Sequence, residues 1–196
     1  MRRARITLRT AEPSHARKLH ALITANLEEG HLLPRTLGEL EVHAERFTIA
    51  MRDRQIVGCA ELAPLSPTVA EVRSLAVDPS VRCGGVGTEI VEELRRRARR
   101  ESFEKLCAFT HTPGYFIHMG FSIVPHLWLP EKIFTDCVGC PHFRQCGQYA
   151  MVVPLDDTCD DSRGRPLDDA CDDSRDRPLD DACDAAHDRP AAARYA

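Results

Sequence analysis

Nowhere in this 196-residue chain does an apolar run approach the roughly 18–20 residues that cross a bilayer, which excludes a membrane-spanning helix. The basic start, Met1-Arg2-Arg3-Ala4-Arg5, lacks the apolar stretch of a secretory signal, so a cytoplasmic protein is expected. There is no Gly-Lys-Ser/Thr phosphate loop and no spaced dinucleotide-binding glycine fingerprint. A strong charge of one sign is also missing. The net −4 combines thirteen Asp and six Arg in residues 155–196, which is −7, with 20 Lys and Arg against 17 Asp and Glu elsewhere, which is +3. A mildly basic body does not bind nucleic acid by charge alone, but it suits a polyanionic small ligand. The length allows one ordinary domain with an appendage.

What the chain has in excess is cysteine, nine in all. With no export signal, a reducing compartment is expected and a disulfide framework is not. Cys159, Cys171 and Cys183 mark a tandem repeat of period 12, Leu155 to Pro166, Leu167 to Pro178 and a decayed copy from Leu179 to Pro190. Each unit offers little more than one Leu and one Cys to a core, too little to offset the entropy of ordering it. Residues 155–196 are therefore expected to be a disordered acidic tail.

Periodicity predicts the elements of the body. Ile6 to Arg9 alternates as a strand. Pro13 opens a helix with Ala16, Leu19, Leu22, Ile23 and Leu27 inward, ended by Gly30. Thr36 caps a short helix, with Glu39 at the capping-box position. Phe47 to Met51 and Gln55 to Leu62 form a hairpin about Asp53 and Arg54. Val69 to Val77 is a strand whose period of 2 puts Val69, Glu71, Arg73, Leu75 and Val77 on one face. A helix over Gly85 to Arg100 carries the stripe Val86, Ile90, Val91, Leu94 and Ala98. Strands at Leu106 to Phe109, Phe121 to Val124 and Tyr149 to Val153 follow, with a short helix over Pro113 to Met119. Three consecutive strands followed by alternation predict an α/β fold, a mixed sheet with helices on both faces.

The loop Arg82-Cys83-Gly84-Gly85-Val86-Gly87-Thr88 joins the fourth strand to the long helix. Its glycines let the backbone approach an anion, and the helix start offers unpaired N–H groups. Arg82 to Gly87 resembles the Arg/Gln-x-x-Gly-x-Gly/Ala pattern of GNAT N-acetyltransferases, and Tyr115 to Phe121 resembles their aromatic-x-x-x-Gly-Phe segment. Four segments narrow the likeness to N-acetylglutamate synthase, in its short freestanding form without a kinase-like domain. They are Gly30 to Thr36, Ile56 to Leu62, Glu71 to Val77, and Tyr115 to Phe121 followed by Leu129-Pro130. The resemblance covers roughly residues 4–153 and implies a GNAT domain over 1–154 with a mostly antiparallel sheet. It implies acetyl-CoA as cosubstrate, held by Arg82 to Thr88 and by the backbone of Leu75, Ala76 and Val77, one of whose N–H groups would stabilise the oxyanion.

Direct acetyl transfer to an amine needs a base, an oxyanion donor and a proton for the departing thiolate. Glu71, mid-strand and partly buried, suits a base, and the resemblance places the synthase's Glu there. The broad family's tyrosine position holds Phe116; the resemblance to the synthase, which uses a hydroxyl slightly earlier, implies Thr112 as the proton donor, with Tyr115 in reserve, and Thr112 is also a natural N-cap. Arg35, Arg73 and Arg46 are the expected carboxylate-binding residues, since a guanidinium fork matches a carboxylate. Within a Cys-rich insertion, 130–147, Cys137, Cys140 and Cys146 form C-x2-C-x5-C. This invites a structural zinc or iron–sulfur site with His142, His126 or Asp136 completing it, while reduced thiols or a redox role stay open. The expected activity is acetylation of the α-amine of L-glutamate, the first step of arginine biosynthesis. Its partners would be a small amino-acid acceptor, with a homodimer left open, and neither nucleic acid nor membrane. The rivals are acetylation of another amino acid or peptide amine, and a cysteine-based metal or redox sensor on the same fold.

Overall fold

The computed structural model describes residues 6–27, 32–140 and 143–155. The repeat region expected to be disordered therefore lies outside the described residues, except for Leu155. That residue belongs to the body: it is buried and its N–H donates to Glu104 O at 2.8 Å.

Seven strands form one sheet: β1 Thr7–Thr10, β2 Phe47–Arg52, β3 Gln55–Pro64, β4 Val69–Val77, β5 Lys105–Thr110, β6 Ser122–Val124 and β7 Tyr149–Pro154. Their spatial order is β1-β2-β3-β4-β5-β7-β6, and every neighbouring pair is antiparallel except β4–β5. The helices are α1 Ala16–Ala25, preceded by a 3-10 turn at Pro13–His15, α2 Leu37–Val42, α3 Val86–Arg100, α4 Pro113–His118 and α5 Pro130–Lys132. Gly30, expected to end the first helix, lies outside the described residues; α1 closes at Asn26. Thr36 makes the expected capping box, its Oγ1 accepting from Glu39 N while Glu39 Oε2 accepts from Thr36 N. The β2–β3 turn places Asp53 and Arg54 at φ 50° and 65°, the left-handed pair that matches strand twist in a two-residue hairpin.

Helices cover both faces. On one, the α3 stripe Val86, Ile90, Val91, Leu94 and Ala98 packs on Ala60, Leu62, Ala70, Val72 and Leu106, with Phe116 of α4 alongside. Burying each of the four larger α3 side chains contributes about 1.5–3 kcal/mol. On the other face, Leu19, Leu22 and Ile23 of α1 and Leu40 of α2 cover Phe47, Ile49, Cys59 and Ala76. A smaller cluster of Val69, Cys107, Leu129 and Ala150 lies under the β6–β7 connection.

β4 departs from simple alternation. Ser74 has φ 51°, and the β3–β4 register slips there, Cys59 facing Ala76 but Glu61 facing Arg73. This β-bulge inserts one residue and reverses which face follows it. Leu75 and Val77 therefore pack with Ala70, Val72 and α3, while Ala76 joins the α1 side. The expectation that Val69, Glu71, Arg73, Leu75 and Val77 share a face holds only for the three residues before the bulge, Val69, Glu71 and Arg73. Pairing of β4 with β5 also stops at Val72 and Ala108, although both strands continue. The two strands part from there, leaving the Arg73–Val77 edge of β4 without a β5 partner.

Candidate active site

The β4–α3 loop begins with a 3-10 turn at Pro79–Val81, fixed by Asp78 accepting from Ser80 N at 2.9 Å. Cys83 and Gly85 take left-handed φ values of 60° and 81°, and Gly85 is the N-cap of α3. The first helical bond of α3 runs from Glu89 N to Gly85 O, so the amides of Val86, Gly87 and Thr88 precede it and point off the helix start. Arg82 is drawn across the loop: Nε donates to Val77 O at 3.2 Å and Nη2 to Asn26 Oδ1 at 2.7 Å. Asn26 is itself buried and donates to Leu22 O, so the end of α1 anchors this arginine. A Cβ at Gly87 would stand 3.2 Å from the Tyr115 hydroxyl. That hydroxyl is buried, lies toward Thr88 without a hydrogen bond of proper geometry, and burial pushes its pKa up to about 12. It keeps its proton at any working pH.

Thr112 stands at the N-cap of α4 but makes no side-chain cap bond; its hydroxyl is 3.4 Å from Thr110 Oγ1. It is therefore free of the capping duty its position suggests.

On the α1 face, between the α1–α2 cluster and the β6–β7 connection, the sheet carries a charged patch. Glu71 is 3% exposed. Its Oε2 accepts from Arg73 Nε at 2.6 Å, and Lys132 Nζ donates to both its oxygens at 2.8 and 2.9 Å. Asp136 accepts from Lys132 Nζ at 2.9 Å and from Arg73 Nη2. Burial opposes the charge on Arg73, but Glu71, then Asp136 and Glu61, more than reverse this and raise its pKa above the ordinary arginine value. Facing Arg73 across the ladder is Glu61, 1% exposed, which accepts from Arg35 Nη2 at 2.7 Å and lies 3.9 Å from Arg46 Nη1. The structure thus gathers Glu71, Arg73, Arg35 and Arg46 in one patch, with Arg46 in a 3-10 turn before β2.

Sequence reasoning missed three members of this patch. Glu61 stands between Ala60 and Leu62 in a strand buried on both faces, a signal as strong as that of Glu71. Lys132 and Asp136 are an i,i+4 pair of opposite charge inside the segment read as a cysteine insertion. Among the described residues no group of three His, Cys, Asp or Glu is placed to hold an ion. Cys137 closes a π-helical turn, Ile133–Cys137, Cys140 follows one turn later, and Cys146 is exposed beyond another; all three are free thiols. His142 lies outside the described residues.

A glycine loop at a helix start, a parallel strand pair that splays beside it and a buried charged patch on the adjoining strand define an α/β protein built for an anionic ligand and a polar acceptor. Residues 12–119 match the Acetyltransferase (GNAT) family, and the chain belongs to it. It is 30% identical, over 76% of its length and 96% of the relative's, to an uncharacterised N-acetyltransferase of Chlorobaculum tepidum. It is 36% identical to an amino-acid acetyltransferase of Pseudomonas putida over 52% of this chain and 24% of that one. Among solved structures, N-acetylglutamate synthase from Neisseria gonorrhoeae, complexed with coenzyme A and N-acetyl-glutamate, superposes with a TM-score of 0.70 at 27% identity. The match covers 79% of this chain and 36% of that one. Rv2747 from Mycobacterium tuberculosis, in complex with CoA and NLQ, shares the fold with a TM-score of 0.64 at 23% identity, over 76% of this chain and 98% of that one. The chain thus spans only about a quarter to a third of the amino-acid acetyltransferase and the synthase it matches.

Proposed function

We propose that this chain transfers the acetyl group of acetyl-CoA to the α-amine of an amino acid, with L-glutamate the first candidate, the opening step of arginine biosynthesis. The observation that carries the reading is the placement of a buried carboxylate among cations, Glu71 with Arg73, beside the splayed edge of β4 that leads into the α3 loop. The relatives named for amino-acid acetylation, and the synthase solved with coenzyme A and N-acetyl-glutamate, support it.

In this reading the amides of Gly85 to Thr88, with Arg82 and Cys83 beside them, receive the cofactor's pyrophosphate. The thioester lies along Leu75 to Val77, whose β5-side groups the splay leaves open. Glu71 takes a proton from the acceptor's ammonium. The neutral amine then adds to the thioester carbonyl, and a backbone N–H of Leu75 to Val77 donates to the oxyanion. Collapse forms the amide, breaks the C–S bond and releases the thiolate, which takes the second proton of the acceptor nitrogen through Thr112. Tyr115, with its pKa near 12, donates a hydrogen bond to the thiolate without surrendering its proton. Arg35, Arg46 and Arg73 receive the acceptor's side-chain carboxylate. The Cys137–Cys146 segment supplies no chemistry to these steps.

The test is release of free thiol from acetyl-CoA against the standard amino acids and a set of peptide N-termini. Turnover confined to glutamate or a near analogue supports the acceptor. Preference for a peptide or a non-acidic amino acid replaces glutamate while leaving the transfer chemistry in place.

A further inference from the structure

Glu71, Arg73, Asp136 and Lys132 close a ring of alternating charge. Glu71 binds Arg73 and Lys132, and Asp136 binds the same two cations from the other side. The ring is neutral, and Lys132 is 12% exposed with Nζ 5.0 Å above the ring of Phe109. In this closed state three of the roughly four acceptor positions of the Glu71 carboxylate are taken. With a cation on both oxygens, protonation of Glu71 is disfavoured until one donor withdraws.

The two donors differ. Arg73 sits two residues away on the same strand, and its planar fork engages Glu71 and Asp136 through separate nitrogens. Lys132 is a single ammonium on a flexible stem, and the chain holds only three lysines against 23 arginines. It projects from the β6–β7 connection at a place where the backbone widens from α5 into a π-helical turn, Val138 N donating to Ile133 O. Such turns are local departures from the tighter α-helical ladder and recur at functional sites. Lys132 is the donor that can exchange.

What enters must restore the charge balance. The α-carbon of an amino acid brings one ammonium and one carboxylate, and a side-chain carboxylate such as that of glutamate is left to Arg35 and Arg46. The ammonium replaces Lys132 on Glu71, and the α-carboxylate receives the Lys132 that has been displaced, so every charge keeps an opposite partner. An amine without an α-carboxylate brings only the cation to Glu71 and leaves the displaced Lys132 without a partner. We propose that Lys132 determines acceptor specificity, leaving Glu71 for the acceptor's α-carboxylate so that only amines bearing an α-carboxylate open the base. The inference rests on the reading of Glu71 and of an amino-acid acceptor given above. Two protons leave the acceptor nitrogen: the first goes to a Glu71 oxygen and frees the lone pair that forms the C–N bond, and the second passes through Thr112 to the thiolate as the C–S bond breaks, while Lys132 and Asp136 keep their protonation states throughout.

The experiment compares kcat/KM for the best amino-acid acceptor, L-glutamate being tested first, with its α-carboxamide and its decarboxylated amine. Wild type, Lys132→Met, the charge-balanced Lys132→Met/Asp136→Asn and Lys132→Arg are measured, with coenzyme A affinity as the check on folding. Wild type should prefer the amino acid, and this preference should shrink about 10–100-fold in Lys132→Met and in the balanced double variant. Lys132→Arg should recover part of it. If the variants lose rate equally with acid, amide and amine, Lys132 is structural and the assignment fails while the acceptor reading stands. If wild type uses amines lacking the α-carboxylate as well as amino acids, or no amino acid at all, the acceptor reading fails together with it.

Discussion

Glu71 is the residue on which the chemistry turns. Glu71→Gln keeps the shape and the bond from Lys132 but cannot take a proton, so turnover with the amino acid should fall about 10²–10⁴-fold while coenzyme A affinity barely moves. The deficit should narrow as pH rises and solvent supplies free amine, which a pH–rate profile of both proteins measures. A variant that keeps the wild-type rate and acidic limb makes Glu71 a structural carboxylate. The thiols sort by burial in the same way. Burial raises Cys59 to about 12 and raises Cys107, which faces Glu71 across the β4–β5 pair, still further. A raised thiol pKa means less thiolate at pH 8 and slower alkylation. Timed labelling with iodoacetamide followed by peptide mass spectrometry should therefore modify exposed Cys146 well before Cys59 or Cys107. Early labelling of Cys107 would show that the floor of the site opens in solution.

At the scale of elements, β4 and the start of α3 carry the most. Ser74 holds a left-handed φ that a β-branched side chain resists, at a cost of order 1–3 kcal/mol. Ser74→Val should lower the melting temperature by that measure and reduce kcat, because removing the bulge would realign Leu75 to Val77. Ser74→Gly should be tolerated in stability. Equal melting curves for Ser74→Val and wild type would remove the strain argument. The helix start has its own test. A side chain at Gly87 would push on the Tyr115 hydroxyl 3.2 Å away and stand between the amides and a phosphate. Gly87→Val should therefore abolish coenzyme A binding in calorimetry; unchanged affinity would refute the loop as the pyrophosphate site.

At the scale of the whole molecule, the body reaches Leu155, whose side chain joins the α3-side core. Truncation should accordingly follow residue 155 rather than 154. Removing 156–196 is expected to leave melting temperature and turnover nearly unchanged, since each 12-residue unit carries only one Leu and one Cys to bury. Cutting before Leu155 should cost about 2–5 kcal/mol, the range for losing a buried Leu. A large drop in melting temperature on cutting after Leu155 would assign the repeats a packing role.

Local pattern determined a great deal of this protein. The α3 stripe, the Thr36–Glu39 capping box, the Asp53–Arg54 hairpin and the glycine loop were all legible, because each depends on residues a few positions apart whose spacing repeats the geometry of a helix, turn or strand. Glu71 and Arg73 were legible as charges set among apolar neighbours. Only the tertiary structure decided what lies beside them. The Ser74 bulge was hidden because any short polar residue reads as an ordinary strand position, and its effect shows only in the register with β3. Glu61 became part of the site by facing Arg73 across the ladder. Lys132 and Asp136 reached Glu71 and Arg73 from about sixty positions away, because the β6–β7 connection folds back over the sheet. Spacing along the chain carries no record of such distant contacts, and in this site those contacts set the charge around the base.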